Sequence, residues 1–269
     1  MKFSRIYAIF LRQLFLIKSS PIRLTPIFLW IVIDVIQWGF ISKYLGSLGR
    51  ATFGFVTVVL GAIILWGFLT RLSHGVMTAF LEDIWAQNFL NYFASPLKIG
   101  EYLLGLVLTS IFTGALGLSA MVIVAGAAFG YNFFKIGLLL FPFMIILFIF
   151  GISLGVMING IIFRFGPAAE WIGWPIPVVL SIFSGVYYPI ATLPAGLQVI
   201  AKLLPASYVF ESLRAILSGS AVDPSLFSNL LISLGLSSVY FLLIYKFFVS
   251  VYRHNMKTGS IARFAAEPN

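Results

Sequence analysis

Cysteine is absent from the 269 residues, which excludes disulfides and thiolate metal sites. Charge is scarce: Asp, Glu, Lys and Arg make up 9% of the chain, where a soluble domain carries about a quarter. Acid is the scarcer sign, with eight Asp and Glu against seventeen Lys and Arg. There is no G-x-x-x-x-G-K-[ST] and no Gly-Lys pair, so the sequence carries no phosphate-cradling P-loop. H-E-x-x-H and any cluster of carboxylates with His are missing too, so no enzyme site is expected. Polar runs are short. No weakly apolar stretch exceeds ~25 residues, below the ~50 of an independent soluble fold.

What is present is hydrophobic: 61% of residues are apolar, 17% aromatic, with 28 Phe. The expected fold is all-α, a polytopic membrane protein. Six spans are placed near 26–45, 53–77, 101–129, 136–163, 171–192 and 226–250, each with at least ~18 mostly apolar residues. The domain reading is an N-terminal interfacial helix over 1–25, one transmembrane domain over 26–250 and a cytoplasmic tail over 251–269. With both ends inside, twelve of the seventeen basic residues fall on inner segments (Lys2, Arg5, Arg12, Lys18, Arg23, Arg71, Lys98, Arg164, Lys246, Arg253, Lys257, Arg263). Five (Lys43, Arg50, Lys135, Lys202, Arg214) fall outside. That bias closes only for an even number of spans. The net charge of +9 is therefore topogenic, and no nucleic-acid partner is needed to explain it.

The first 25 residues do not read as a cleaved signal, because no small-residue cleavage site follows a short apolar core. At helical spacing Phe3, Ile6, Tyr7, Phe10, Leu14 and Ile17 share one side, with Arg5 and Arg12 on the other. This predicts a basic amphipathic helix in the inner interface, although Ile9 and Leu16 interrupt its polar face. The plainer reading is a basic flank that orients the first span.

Two stretches between spans are unusual. LEDIWAQNFLNYFASPLKIG, over 81–100, predicts a short helix from Glu82 to Phe93, ended at Ser95-Pro96. Ile84, Trp85, Phe89 and Tyr92 beside Glu82 and Asp83 suit docking into a partner's groove. An interfacial helix with Trp and Tyr at headgroup level is the alternative. The second stretch runs from Phe183 to Gly219. Pro194 and Pro205 predict two short helices, over 195–204 and 206–218, each too short to cross a ~30 Å core. They form either a re-entrant pair packed on protein or an amphipathic loop on the outer surface.

Ionisable groups inside spans are costly and mark function or structure. Asp34, with Gln37 one turn on, is expected to pair with Arg71, as a clamp or as a gate. His74 is a lone histidine near an interface. Glu211 and Arg214 are spaced for a local ion pair, and Arg164 and Glu170 flank the short fourth-to-fifth loop. Gly151/Gly155, Gly126/Gly130 and Ser110/Gly114 are small-xxx-small pairs that permit close helix contact, within one chain or across a dimer. The fifth span carries Pro175 and Pro177 with Ser181, Ser184 and Gly185, fitting a helix that lines a path or simply packs.

Taken together, Glu82 or Asp83 followed by a short helix and Ser95-Pro96-Leu97, and the later Leu204, Pro205, Tyr208, Glu211, Arg214 and Gly219, resemble the permease subunit of a type-2 ABC exporter. The likeness covers essentially the whole chain. Its weakest point is Trp85-Ala86-Gln87, where a small residue or Gly is common. The resemblance implies a permease dimer, homodimeric or paired with a homologous permease, in a bacterial plasma membrane with both termini cytoplasmic. It implies two copies of a separate ATPase supplying ATP and Mg, with no cofactor on this chain. The loop around Glu82, Asp83, Ile84, Trp85, Phe89 and Tyr92 would be the coupling helix. Pro205, Tyr208, Glu211 and Arg214 would shape an outer re-entrant gate. The cargo would be a hydrophobic or amphiphilic drug, lipid or lipid-linked glycan. A stand-alone channel or secondary carrier is the alternative, and a membrane-embedded enzyme a third.

Overall fold

The computed structural model describes residues 1–48, 53–217 and 225–259. Arg50, Gly219, Arg263 and most of the C-terminal tail lie outside the described residues. No strand occurs among the described residues. The helices are α1 (Phe3–Ser19), α2 (Thr25–Ser47), α3 (Phe53–Trp85), α4 (Phe89–Ala94), α5 (Ile99–Phe129), α6 (Leu140–Phe165), α7 (Glu170–Gly173), α8 (Pro175–Phe183), α9 (Ala195–Leu203), α10 (Pro205–Leu217) and α11 (Ser225–Thr258). Among the described residues, five stretches are long and apolar enough to cross a membrane: Phe28–Ser47, Thr57–Trp85, Ile99–Phe129, Gly137–Phe165 and Leu226–Thr258.

The bundle is built around α3, with α5 and α6 against it and α2 and α10 completing its surround. In an apolar medium helices gain little from burying Leu against Leu. They associate through small residues and buried polar side chains. Both devices converge on α3. A Cβ on Gly151 or Gly155 would lie 2.8 Å from the Leu69 carbonyl oxygen or 2.7 Å from that of Ser73, so the two backbones touch there. Ser110 of α5 donates its hydroxyl to the Leu72 carbonyl at 2.6 Å. Asn159 of α6 donates to Val76 at 3.2 Å, and Gln13 of α1 donates to Ala79 at 3.1 Å. Three helices thus tie themselves to one half of α3.

Two expectations change. The fifth span is expected over 171–192, but the apolar helical stretch there is Pro167–Phe183, broken near Trp174-Pro175. Residues 184–192 turn back instead, through Gly185 at φ +69°. The Arg214 guanidinium holds that turn by donating to the Gly185 carbonyl at 2.9 Å. The Gly126/Gly130 pair is not a packing seam. Gly130 adopts φ 64° as the left-handed cap of α5, donating to the Gly126 carbonyl at 2.9 Å. Helix α1 meets the protein through Ile6, Ile9 and Gln13 and leaves Phe3, Tyr7 and Phe15 exposed. Ile9 fills the space left by Gly105, where a Cβ would stand 2.6 Å from it.

Candidate functional site

The basic end of the bundle carries the densest chemistry. Helix α3 runs through Glu82 and Asp83 to Trp85, the chain turns at Gln87 (φ 53°), and α4 begins at Phe89. The single helix expected from Glu82 to Phe93 is therefore split, with Glu82 and Asp83 in the last turn of a long helix.

Asp83 is fully buried. It accepts the Tyr102 hydroxyl at 2.7 Å and pairs with the Arg12 guanidinium, which also lies 5.4 Å from the Tyr92 ring centroid. Burial, then the Asp83 charge, holds the Tyr92 hydroxyl well above its usual range, so it stays protonated. Glu101, also fully buried, accepts the Lys2 backbone N–H at 2.7 Å and that of Lys98 at 3.0 Å. Arg5 reaches Glu101 at 3.3 Å and donates to the Pro96 carbonyl as well. Arg23, just past α1, pairs with Glu82 at 2.8 Å, nearer the surface. Three arginines of the N-terminal segment therefore neutralise three acids around the loop. Arg5 and Arg12, read from the sequence as the polar side of α1, make two of these three ties.

The aromatic surface expected on this loop is mostly interior. Ile84 and Phe89 are buried, and Phe89 packs its ring 5.3 Å from Phe80 and 5.3 Å from Phe163. Tyr92 is partly buried. Trp85 is 59% exposed and stands at the apex with Ala86, Gln87 and Asn91. Of the residues expected to meet a partner, Trp85 is the one this fold presents. Glu101 and Tyr102 do not stand out in the sequence. Their signal is the pairing of three acids near this loop with three arginines in the first 25 residues.

Along α2, Val35, Gly39 and Ser42 form the buried stripe. Asp34 lies about 100° round the helix from Val35 and is exposed, as is Gln37. Arg71 is half-buried on α3. Asp34 and Arg71 interact electrostatically, yet the four ion pairs among the described residues do not include them. The expected direct pair is not formed, because Asp34 lies off the stripe that meets α3. His74 is buried with its ring centroid 4.8 Å from that of Trp174. No group of three His, Asp or Glu suited to a metal occurs among the described residues.

At the opposite end α9 and α10 form where Pro194 and Pro205 place them. Pro205 opens α10 and is buried. Tyr208 donates its hydroxyl to the Lys202 carbonyl at 2.9 Å, fixing α10 to α9. The Glu211 carboxylate accepts the Ile190 N–H at 2.8 Å and pairs with Arg214 at 3.0 Å. Burial lowers the Arg214 guanidinium from its usual range, against the pull of Glu211. Glu211 and Arg214 thus do more than pair locally: together they hold the turn that follows α8.

A comparison with curated proteins returned no match. The family model described as ABC-2 type transporter matches residues 5–218, from α1 through the end of α10. That stretch includes the tethered loop, the α2 face and the proline-opened helix pair, and on this match the chain belongs to the ABC-2 type transporter family.

Proposed function

We propose that this membrane permease works as the conduit of an ATP-driven exporter, moving a hydrophobic or amphiphilic compound out of the cytoplasm. In this reading two copies, or one copy and a homologous permease, stand over two copies of a separate ATPase, which supplies the ATP and Mg chemistry. The stretch Pro167–Phe183 is the fifth crossing. That makes six, with both termini on the cytoplasmic side of a bacterial plasma membrane.

The observation that carries this proposal is the tether. Arg12–Asp83, Arg5–Glu101 and Arg23–Glu82 fasten the N-terminal segment to the loop and the helix ends beside it, an arrangement that favours their moving together. A stiff foot transmits force, whereas a loose loop would absorb it. Trp85 is the exposed anchor at its tip, and large aromatics dominate small interfaces of this kind. The helix pair over 195–217, held by Tyr208, Glu211 and Arg214, closes the far end.

The test is co-expression with ABC ATPases from the same genome, beginning with any that a neighbouring reading frame encodes, followed by affinity capture. Trp85→Ala is expected to weaken capture by about 2 kcal/mol or more, while Phe3→Ala, on the exposed side of α1, leaves it unchanged. Full capture by the Trp85→Ala chain would remove the docking assignment.

A further inference from the structure

A groove of about 750 Å³ opens between α5, α6 and α11 on the outside of the bundle. Its walls include Leu103, Leu104, Phe148, Ile152, Phe241 and Tyr245. Two serines also line it, but Ser153 donates to the Ile149 carbonyl at 2.6 Å and Ser238 to that of Leu234 at 2.8 Å. Their hydroxyls are spent within their own helices, so the groove offers hydrocarbon and little else. On α11 it runs from Ser238 to Tyr245, roughly 11 Å of helix, most of one ~15 Å leaflet.

Tyr245 belongs also to a second, polar depression, lined by Lys246, Arg253, His254 and Lys257 on one face of α11. The two therefore adjoin at Tyr245, the apolar one toward the middle of the bundle and the cationic one toward its basic end. None of the ion pairs among the described residues involves Lys246, Arg253 or Lys257. Three cations outside every such pair, joined to a hydrocarbon slot of leaflet depth, form a complement to one kind of molecule. Basic pockets beside membrane helices take anionic headgroups in this way.

We propose that this groove binds an anionic diacyl phospholipid, with an acyl chain between α5, α6 and α11 and the phosphate against Lys246, Arg253 and Lys257. The occupant also touches the tether. Met1 lines the groove, and the next residue, Lys2, gives its backbone N–H to Glu101. Lipid occupancy and the position of the N-terminal helix are thereby linked.

The experiment uses the purified full chain in a mild detergent, without any ATPase. Thermal unfolding and native mass spectrometry are recorded with dioleoyl phosphatidylglycerol, dioleoyl phosphatidylcholine or inorganic phosphate. Phosphatidylglycerol is expected to raise the midpoint and to stay bound in the gas phase, and the other two to do neither. The exposed triple variant K246Q/R253Q/K257Q is expected to bind phosphatidylglycerol about a hundredfold more weakly, at roughly a factor of five per basic residue. Leu104→Trp, which fills the groove and leaves the cations alone, is expected to abolish retention as well. Equal stabilisation by phosphatidylcholine would overturn the headgroup assignment. An equal shift from inorganic phosphate would overturn the acyl-chain assignment. Undiminished phosphatidylglycerol binding by both variants would overturn the site.

Discussion

Asp83 is a carboxylate at the mouth of the bundle with no access to water. Taking a charge out of water costs several kcal/mol, and the Arg12 guanidinium and Tyr102 hydroxyl offset it. Removing one partner strands the other, which is more damaging than never having had the pair. Arg12→Ala is therefore expected to destabilise the chain by about 3–5 kcal/mol, read as a lower unfolding midpoint in detergent. Tyr102→Phe removes one donor to a charged acceptor and should cost about 1.5–3 kcal/mol. The double variant Arg12→Gln/Asp83→Asn, which leaves no buried charge, should be milder than Arg12→Ala alone. If the double variant is the worse of the two, the ion pair is not what holds this end together.

Among the helices, the contact of α6 with α3 depends on two missing methyl groups. Gly155→Ala puts a Cβ 2.7 Å from a backbone oxygen that cannot swing aside, so the helices must part. The expected cost is about 1–3 kcal/mol of overpacking. Gly235, in α11, has nothing within 4 Å of such a Cβ, and Gly235→Ala should be neutral or stabilising by up to ~1 kcal/mol. Similar midpoints for the two variants would contradict the close approach. The comparison also shows what the sequence could reveal about elements. Gly151/Gly155 and Gly126/Gly130 carry the same spacing, yet one is a seam and the other a helix end. The difference lies in Tyr131 and the turn beyond it, which no spacing rule reads. The long spans were legible because an unbroken apolar run needs no partner to be recognised. The end of α8 was not, because Arg214, 29 positions after Gly185, holds the turn. The foot was half legible: its acids and aromatics stood out, but the burial of Phe89 depends on Phe163, which arrives from the end of α6.

For the molecule as a whole, the uncovered face of α2 is the outstanding feature. Asp34 and Gln37 are exposed within a helix long enough to span a bilayer. A carboxylate facing lipid at mid-span costs at least ~2.5 kcal/mol, so something other than lipid must cover it. A second copy or a watered path would do so, and either belongs to an assembled transporter rather than a lone chain. The cysteine-free sequence makes this testable, because any introduced thiol is the sole one. In native vesicles, Gln37→Cys is expected to form a disulfide-linked dimer under mild oxidant or to react with a water-soluble maleimide. Ile123→Cys, exposed on α5 among apolar neighbours, is the lipid-facing comparison and should do neither. A disulfide would place the α2 face at the junction of two copies, while labelling without a disulfide would place it on the path. If the thiol introduced on α2 proves as inert as the one on α5, then lipid does reach Asp34, and the uncovered face is not where this chain meets either a partner or its cargo.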